Sequence, residues 1–217
     1  MLGLYGVRKQ EAGDTLIEVL FAMTVFASIV VTALSLMNQG VAAAQRSLEI
    51  STVRQQMDGQ AETLRFLHDS YIEAYQTGLV FNLTDAITSP AEEYYEIIQF
   101  IAAGNRTSAS QFGGTAACAV PSNPLIDFIM NPVTAQLLNT TNKPDIFQKT
   151  PTFSQLIYGS GNLINYSQGM WIEGVRSPKS GSSAGYIDFH IRACWDAPGL
   201  NTPMNLGTIV RLYEPRS

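Results

Sequence analysis

The chain changes its hydrophobic rhythm twice, from an unbroken apolar run to a stripe at helical spacing and then to strand-like alternation. Val19 to Met37 is a run of nineteen residues without a charge. At about 1.5 Å per residue it is long enough to cross most of a hydrocarbon core roughly 30 Å thick, which predicts a membrane helix. No breaker ends it. Asn38 to Tyr75 lacks proline and keeps apolar residues at helical spacing through Val41, Ala44, Leu48, Val53, Met57, Ala61, Leu64, Leu67 and Tyr71. Arg46, Glu49, Arg54, Asp58, Glu62 and Arg65 stand between them, so the helix is predicted to turn amphipathic beyond the apolar run. From about Leu16 to Tyr75 such a rod would be roughly 90 Å long. Gly40 and Gly59 each cost about 1 kcal/mol against alanine within it and are its predicted soft points.

Ser89-Pro90-Ala91-Glu92 announces a second helix, with serine at the N-cap, proline at N1 and glutamate at N3 of a capping box. Tyr94, Ile97, Ile98 and Ile101 give it an apolar face, and Gly104 ends it. Asn105 to Thr115 reads as a loop. Leu125 to Met130, the turn Asn131-Pro132-Val133-Thr134, and Ala135 to Asn139 predict a hairpin, followed by a loop from Thr140 to Thr152. Three strands are predicted in the C-terminal third, Met170 to Arg176, Gly185 to Trp195 and Leu206 to Tyr213. Ile187, Phe189, Ile191 and Ala193 alternate with Asp188, His190, Arg192 and Cys194, giving one buried and one more polar face. An antiparallel meander of this kind has an apolar face to bury, and the stripe on the outer half of the long helix matches it. The expected class is α+β.

One carboxylate, Glu18, stands immediately before the apolar run and after the apolar pair Leu16 and Ile17. An ionised group in a membrane segment costs on the order of 3 kcal/mol at the helix centre, less near the interface, and such groups usually face a partner. Gly13-Asp14-Thr15-Leu16-Ile17-Glu18-Val19, with Arg8 and Lys9 upstream, resembles the junction of prepilins of the type IV pilus and type II secretion superfamily. The resemblance implies a leader, Met1 to Gly13, removed by a prepilin peptidase, a new N-terminus at Asp14, and Glu18 as the fifth mature residue. It further implies a membrane and assembly helix over 14–37, its amphipathic continuation over 38–75 and a head over 76–217. Its implied partners are other pilin subunits, the peptidase, the pilus assembly platform and, before assembly, membrane lipid. The head would lie outside the cytoplasmic membrane, and the protein would be a minor pilin or pseudopilin with a role in adhesion or DNA uptake. Asp14 departs from the family, whose first mature residue is usually Phe or Met. Many pilins also carry a proline where this chain has Ser35, so no kink is expected there.

Thr24, Ser28, Thr32 and Ser35 recur at steps of four, four and three, which places them on one helix face. They are either a packing stripe between helices or the ordinary Ser/Thr content of a membrane helix, with hydroxyls free to bond back to their own backbone.

The 217 residues, 46% of them apolar, suffice for a head domain with its own core besides the helix. A net charge of −5 argues against non-specific nucleic-acid binding by the chain as a whole. Cys118 and Cys194 both fall in the portion that would be translocated, where a disulfide persists; two buried thiols are the alternative. No Cys/His spacing suits a metal and no cofactor is implied. Gly181-Ser182-Ser183-Ala184-Gly185 matches the hydrolase motif G-x-S-x-G, but a strand follows it where that motif needs a helix, and the only later histidine, His190, lies in that same strand. It reads as a hairpin loop, and no catalytic residue is assigned. Outside the pilin reading, the chain would be a secreted domain with an ordinary signal peptide cut near Ala42-Ala43-Ala44, although its apolar run exceeds the 7 to 15 residues usual there. A third reading is a plain membrane-anchored protein that keeps Met1.

Overall fold

The computed structural model describes residues 14–79, 81, 89–106, 108–109, 118–121, 123, 125–181, 183–197 and 200–215. Two compact units form, Met1–Leu48 and Glu49–Ser217, and helix α1 (Asp14–Gln76) contributes to both. The helix passes through Gly40 and Gly59 without interruption, so neither expected soft point breaks it. Good helix formers surround both glycines, among them Ala42, Ala43 and Ala44 after the first and Gln60 and Ala61 after the second.

In the second unit, the α1 stripe of Val53, Met57, Ala61, Leu64, Leu67 and Tyr71 is buried. Helix α2 (Pro90–Ala103) starts as its sequence predicts: the Ser89 hydroxyl accepts from the Glu92 N–H, and the Glu92 carboxylate accepts from the Ser89 N–H. Its apolar face, Tyr94, Ile97, Ile98 and Ile101, joins the same core. These two helical faces meet an antiparallel five-stranded sheet of β1 (Asp127–Met130), β2 (Leu137–Asn139), β6 (Met170–Ser177), β7 (Tyr186–Trp195) and β8 (Met204–Tyr213), ordered β2-β1-β6-β7-β8. The α+β class and the packing of helix on sheet are thus as expected. The inner face carries Phe128, Met130, Ile172, Ile187, Phe189 and Ile191, all essentially inaccessible. Gly174 of β6 belongs to it as well, because a Cβ there would run into the Ile101 side chain.

Three polar side chains from the helices complete strand backbones. Gln60, fully buried, bonds both the N–H and the carbonyl of Met130. The Gln56 Oε1 accepts from the Leu156 N–H at 2.8 Å, and a Glu93 carboxylate oxygen accepts from the Leu137 N–H at 2.6 Å. Burial raises the Glu93 carboxyl above the usual range, and that single backbone bond only partly offsets it.

A second, three-stranded sheet, β3 (Phe147–Gln148), β4 (Gln155–Tyr158) and β5 (Ile164–Gln168), is ordered β3-β5-β4. Phe147 and Gln148 lie within the loop expected over Thr140 to Thr152, and no strand is expected over 155–168. These strands hold two to five residues each, and β5 alternates no further than Ile164-Asn165-Tyr166 before two buried polar residues, Ser167 and Gln168. The Ser167 hydroxyl reaches the Met170 carbonyl at 2.6 Å, and its N–H reaches the Ile146 carbonyl, also at 2.6 Å.

Candidate functional site

Glu18 and the residues around it lie on α1 in the first unit. No residue of the apolar window is buried: Phe21 is 70% and Phe26 69% exposed, and Glu18 is exposed beside them. The helix is long and apolar enough to cross a membrane. Gly13 lies outside the described residues, as does the leader; Asp14 is described only as backbone of α1. An exposed apolar surface of this extent is unfavourable in water, at about 25 cal/mol for each Å² left wet, and is compatible with lipid or with other apolar helices.

The hydroxyl stripe has a definite chemistry. The Thr24 Oγ1 donates to the Phe21 carbonyl at 2.8 Å, Ser28 Oγ to the Thr24 carbonyl at 2.9 Å, and Thr32 Oγ1 to the Ser28 carbonyl at 2.8 Å. Each hydroxyl proton is therefore satisfied inside its own helix, which lowers the cost of placing the group in hydrocarbon. The oxygens keep lone pairs that accept from a neighbour. Ser35 continues the stripe and is exposed.

In the second unit, Cys118 and Cys194 form a disulfide, with Cα atoms 5.5 Å apart. It joins the segment after α2 to the outer face of β7. That face holds a feature that sequence reasoning missed. Asp188 and His190 are partly exposed as expected, but Arg192 and Cys194, assigned to the polar side of the alternation, are buried. Arg192 and Arg106 lie against Glu173 of β6, which is 1% exposed: Arg106 Nη1 stands 3.1 Å and Arg192 Nε 3.5 Å from its carboxylate, and Trp171 Nε1 donates to it at 2.9 Å. Asp127 is the direct cross-strand neighbour of Glu173. Burial and the Glu173 charge push its carboxyl up to about 6, against the opposing effects of the Asn123 N–H and the Arg106 charge. His190, opposite Glu173 on the other side, is held below the usual imidazole value, first by burial and then by Arg192. A single glutamate flanked by two arginines is a structural tie that fixes Arg106, at the exit of α2, onto the sheet.

The remaining motif residues have structural places. Ser183 sits in a tight turn, bridged to Ser180 by two backbone bonds and followed by β7, which is hairpin geometry rather than a strand-to-helix elbow. His68 is mostly covered: its Nε2 meets the Tyr213 carbonyl at 2.9 Å and its ring stands edge-on to Tyr94. Trp171 and Trp195 are both buried, and Trp195 Nε1 lies 3.4 Å from Glu49 Oε2. Among the described residues no group of three or more His, Cys, Asp or Glu side chains is placed to hold a metal ion.

No protein-family model, curated protein or solved structure matches the chain.

Proposed function

We propose that the chain is a minor pilin or pseudopilin, a structural subunit of a type IV pilus or type II secretion-like fibre. The observation that carries this reading is the exposed apolar run of α1 with the carboxylate of Glu18 at its front, five residues after the glycine of the Gly13-Asp14-Thr15-Leu16-Ile17-Glu18-Val19 junction. A membrane anchor alone gives Glu18 nothing to do. Cleavage after Gly13 creates an α-amine on Asp14. At about 4 Å and an effective dielectric near 20, an amine on one subunit and the Glu18 carboxylate of the next attract by roughly 4 kcal/mol. The apolar surface that lipid covers before assembly is then covered by neighbouring helices, and the self-satisfied hydroxyls of Thr24, Ser28 and Thr32 tolerate both surroundings. The α+β head packed on the outer half of α1 has the architecture that such subunits carry.

The N-terminal residue of the membrane-bound protein tests the reading. Asp14 is expected; Gln45 would indicate an ordinary signal peptide, and Met1 an unprocessed anchor. Either of the latter would overturn the proposal.

A further inference from the structure

The edges of the five-stranded sheet are treated unequally. On β2 the Leu137 N–H is taken by Glu93, the Leu137 carbonyl by Asn142 Nδ2 at 2.7 Å, and the Asn139 N–H by Asn142 Oδ1 at 2.9 Å, so that edge is closed by side chains. The other edge, β8, is ten residues long and pairs with β7 in unbroken register. Among the described residues, no hydrogen bond from outside that pairing reaches the backbone of Met204 to Leu212; His68 takes only the carbonyl of Tyr213. The usual defences of an edge are missing as well. β8 contains no proline, no lysine and no bulge. Its one charge, Arg211, is folded onto its own sheet, bonded twice to Asp188 at 2.7 Å and lying 4.0 Å from the centre of the Tyr186 ring. Ile209, at the middle of the strand, is 60% exposed.

We propose that this edge pairs with β8 of a second copy of the chain, antiparallel, about a two-fold axis at Ile209. Opposed residues must share a face, which leaves few registers. Centring on Ile209 sets that side chain against its twin, Gly207 against Arg211, Thr208 against Val210 and Leu206 against Leu212. Apolar groups then meet, and the guanidinium faces a residue without a side chain. Centring on Val210 opposes Ile209 to Arg211, centring on Arg211 opposes two cations, and centring on Thr208 leaves Ile209 against Gly207. Of these four registers, only the one centred on Ile209 opposes that residue to an apolar side chain without opposing two cations. A two-fold contact closes on itself and does not propagate a fibre, so the proposal is independent of the chain's being a fibre subunit.

Cysteine cross-linking of the full chain in detergent micelles tests it. Ile209→Cys places a thiol at the axis, whereas Val133→Cys places one at a site 59% exposed on the β1–β2 turn. Mild oxidation should convert Ile209→Cys to a covalent dimer at least tenfold faster than Val133→Cys. Ile209→Lys, which opposes two ammonium groups at the axis, should shift the otherwise wild-type chain from dimer to monomer in sedimentation, with unchanged circular dichroism. Equal cross-linking at both positions would overturn the proposal. So would a dimer that Ile209→Lys leaves intact, or a wild-type chain that stays monomeric at every concentration.

Discussion

Gln60 and Met130 are joined by two hydrogen bonds: Gln60 Nε2 donates to the Met130 carbonyl and Gln60 Oε1 accepts from the Met130 N–H, each at 2.8 Å. One side chain on α1 thereby does for the end of β1 what a further strand would do. Gln60→Leu keeps the volume and strands both backbone groups in a dry core, at roughly 1 to 3 kcal/mol for each group left unmade. Chemical denaturation should show a loss of about 2 to 6 kcal/mol. A loss below about 1 kcal/mol would mean that Met130 finds other partners.

Asp127 predicts a direction for the pH dependence of stability. Its folded value, about 6, lies above its ordinary value of 3.8, so between those two values the folded state holds more protons than the unfolded one. Stability from this group is therefore greatest below about pH 4, falls as pH rises to about 6, and is level above that. Glu93 and Glu96, both raised by burial, act in the same sense, whereas Asp188, lowered by its bonds from Arg211, acts oppositely. Asp127→Asn isolates the contribution: on going from pH 4.5 to 7, the urea midpoint of the wild type should fall by more, or rise by less, than that of the variant. An equal difference in both would contradict the assignment.

The Cys118–Cys194 bridge closes a loop of sequence separation 76, and loop-closure entropy alone gives about 4.5 kcal/mol, an upper figure. Mass analysis after alkylation without reduction should find no modified cysteine, and after reduction two. Replacing both cysteines with serine should lower the urea midpoint markedly, and an unchanged midpoint would show that the loop is held by other contacts such as Arg106 on Glu173.

What the sequence discloses here is what local physics determines. The α2 cap is legible because Ser89, Pro90 and Glu92 act within four residues of one another, and the β7 core positions because alternation is a property of one strand. The burial of Arg192 and Cys194 is not, since the groups that cover them, Arg106 with Glu173 and the Cys118 sulfur, lie far off in sequence. Nor is the role of Gln60 or Glu93: a polar residue on a helix stripe looks like an interruption until the strand it completes is seen. The short strands escape for a related reason: β4 has four residues and a single buried position, Leu156, and in β5 the buried Ser167 and Gln168 erase the alternation that marks a strand. For the first unit, the hydroxyl positions on one face were legible, but their bonding back to the helix needed coordinates.

The role of Glu18 in assembly is read from the amount of Glu18→Ala protein in sheared surface fibres, set against its amount in the membrane. Removing the carboxylate takes an ionisable group out of an apolar segment, so insertion should be intact or slightly better. Leader removal should persist, since the junction glycine and the basic residues before it are untouched. Assembly should fail, because a neighbour's α-amine would enter a low-dielectric bundle unpaired, at several kcal/mol. Wild-type chain is expected in the fibres and a processed Glu18→Ala chain only in the membrane; recovery of the variant in fibres at the wild-type level would contradict the assembly role of Glu18.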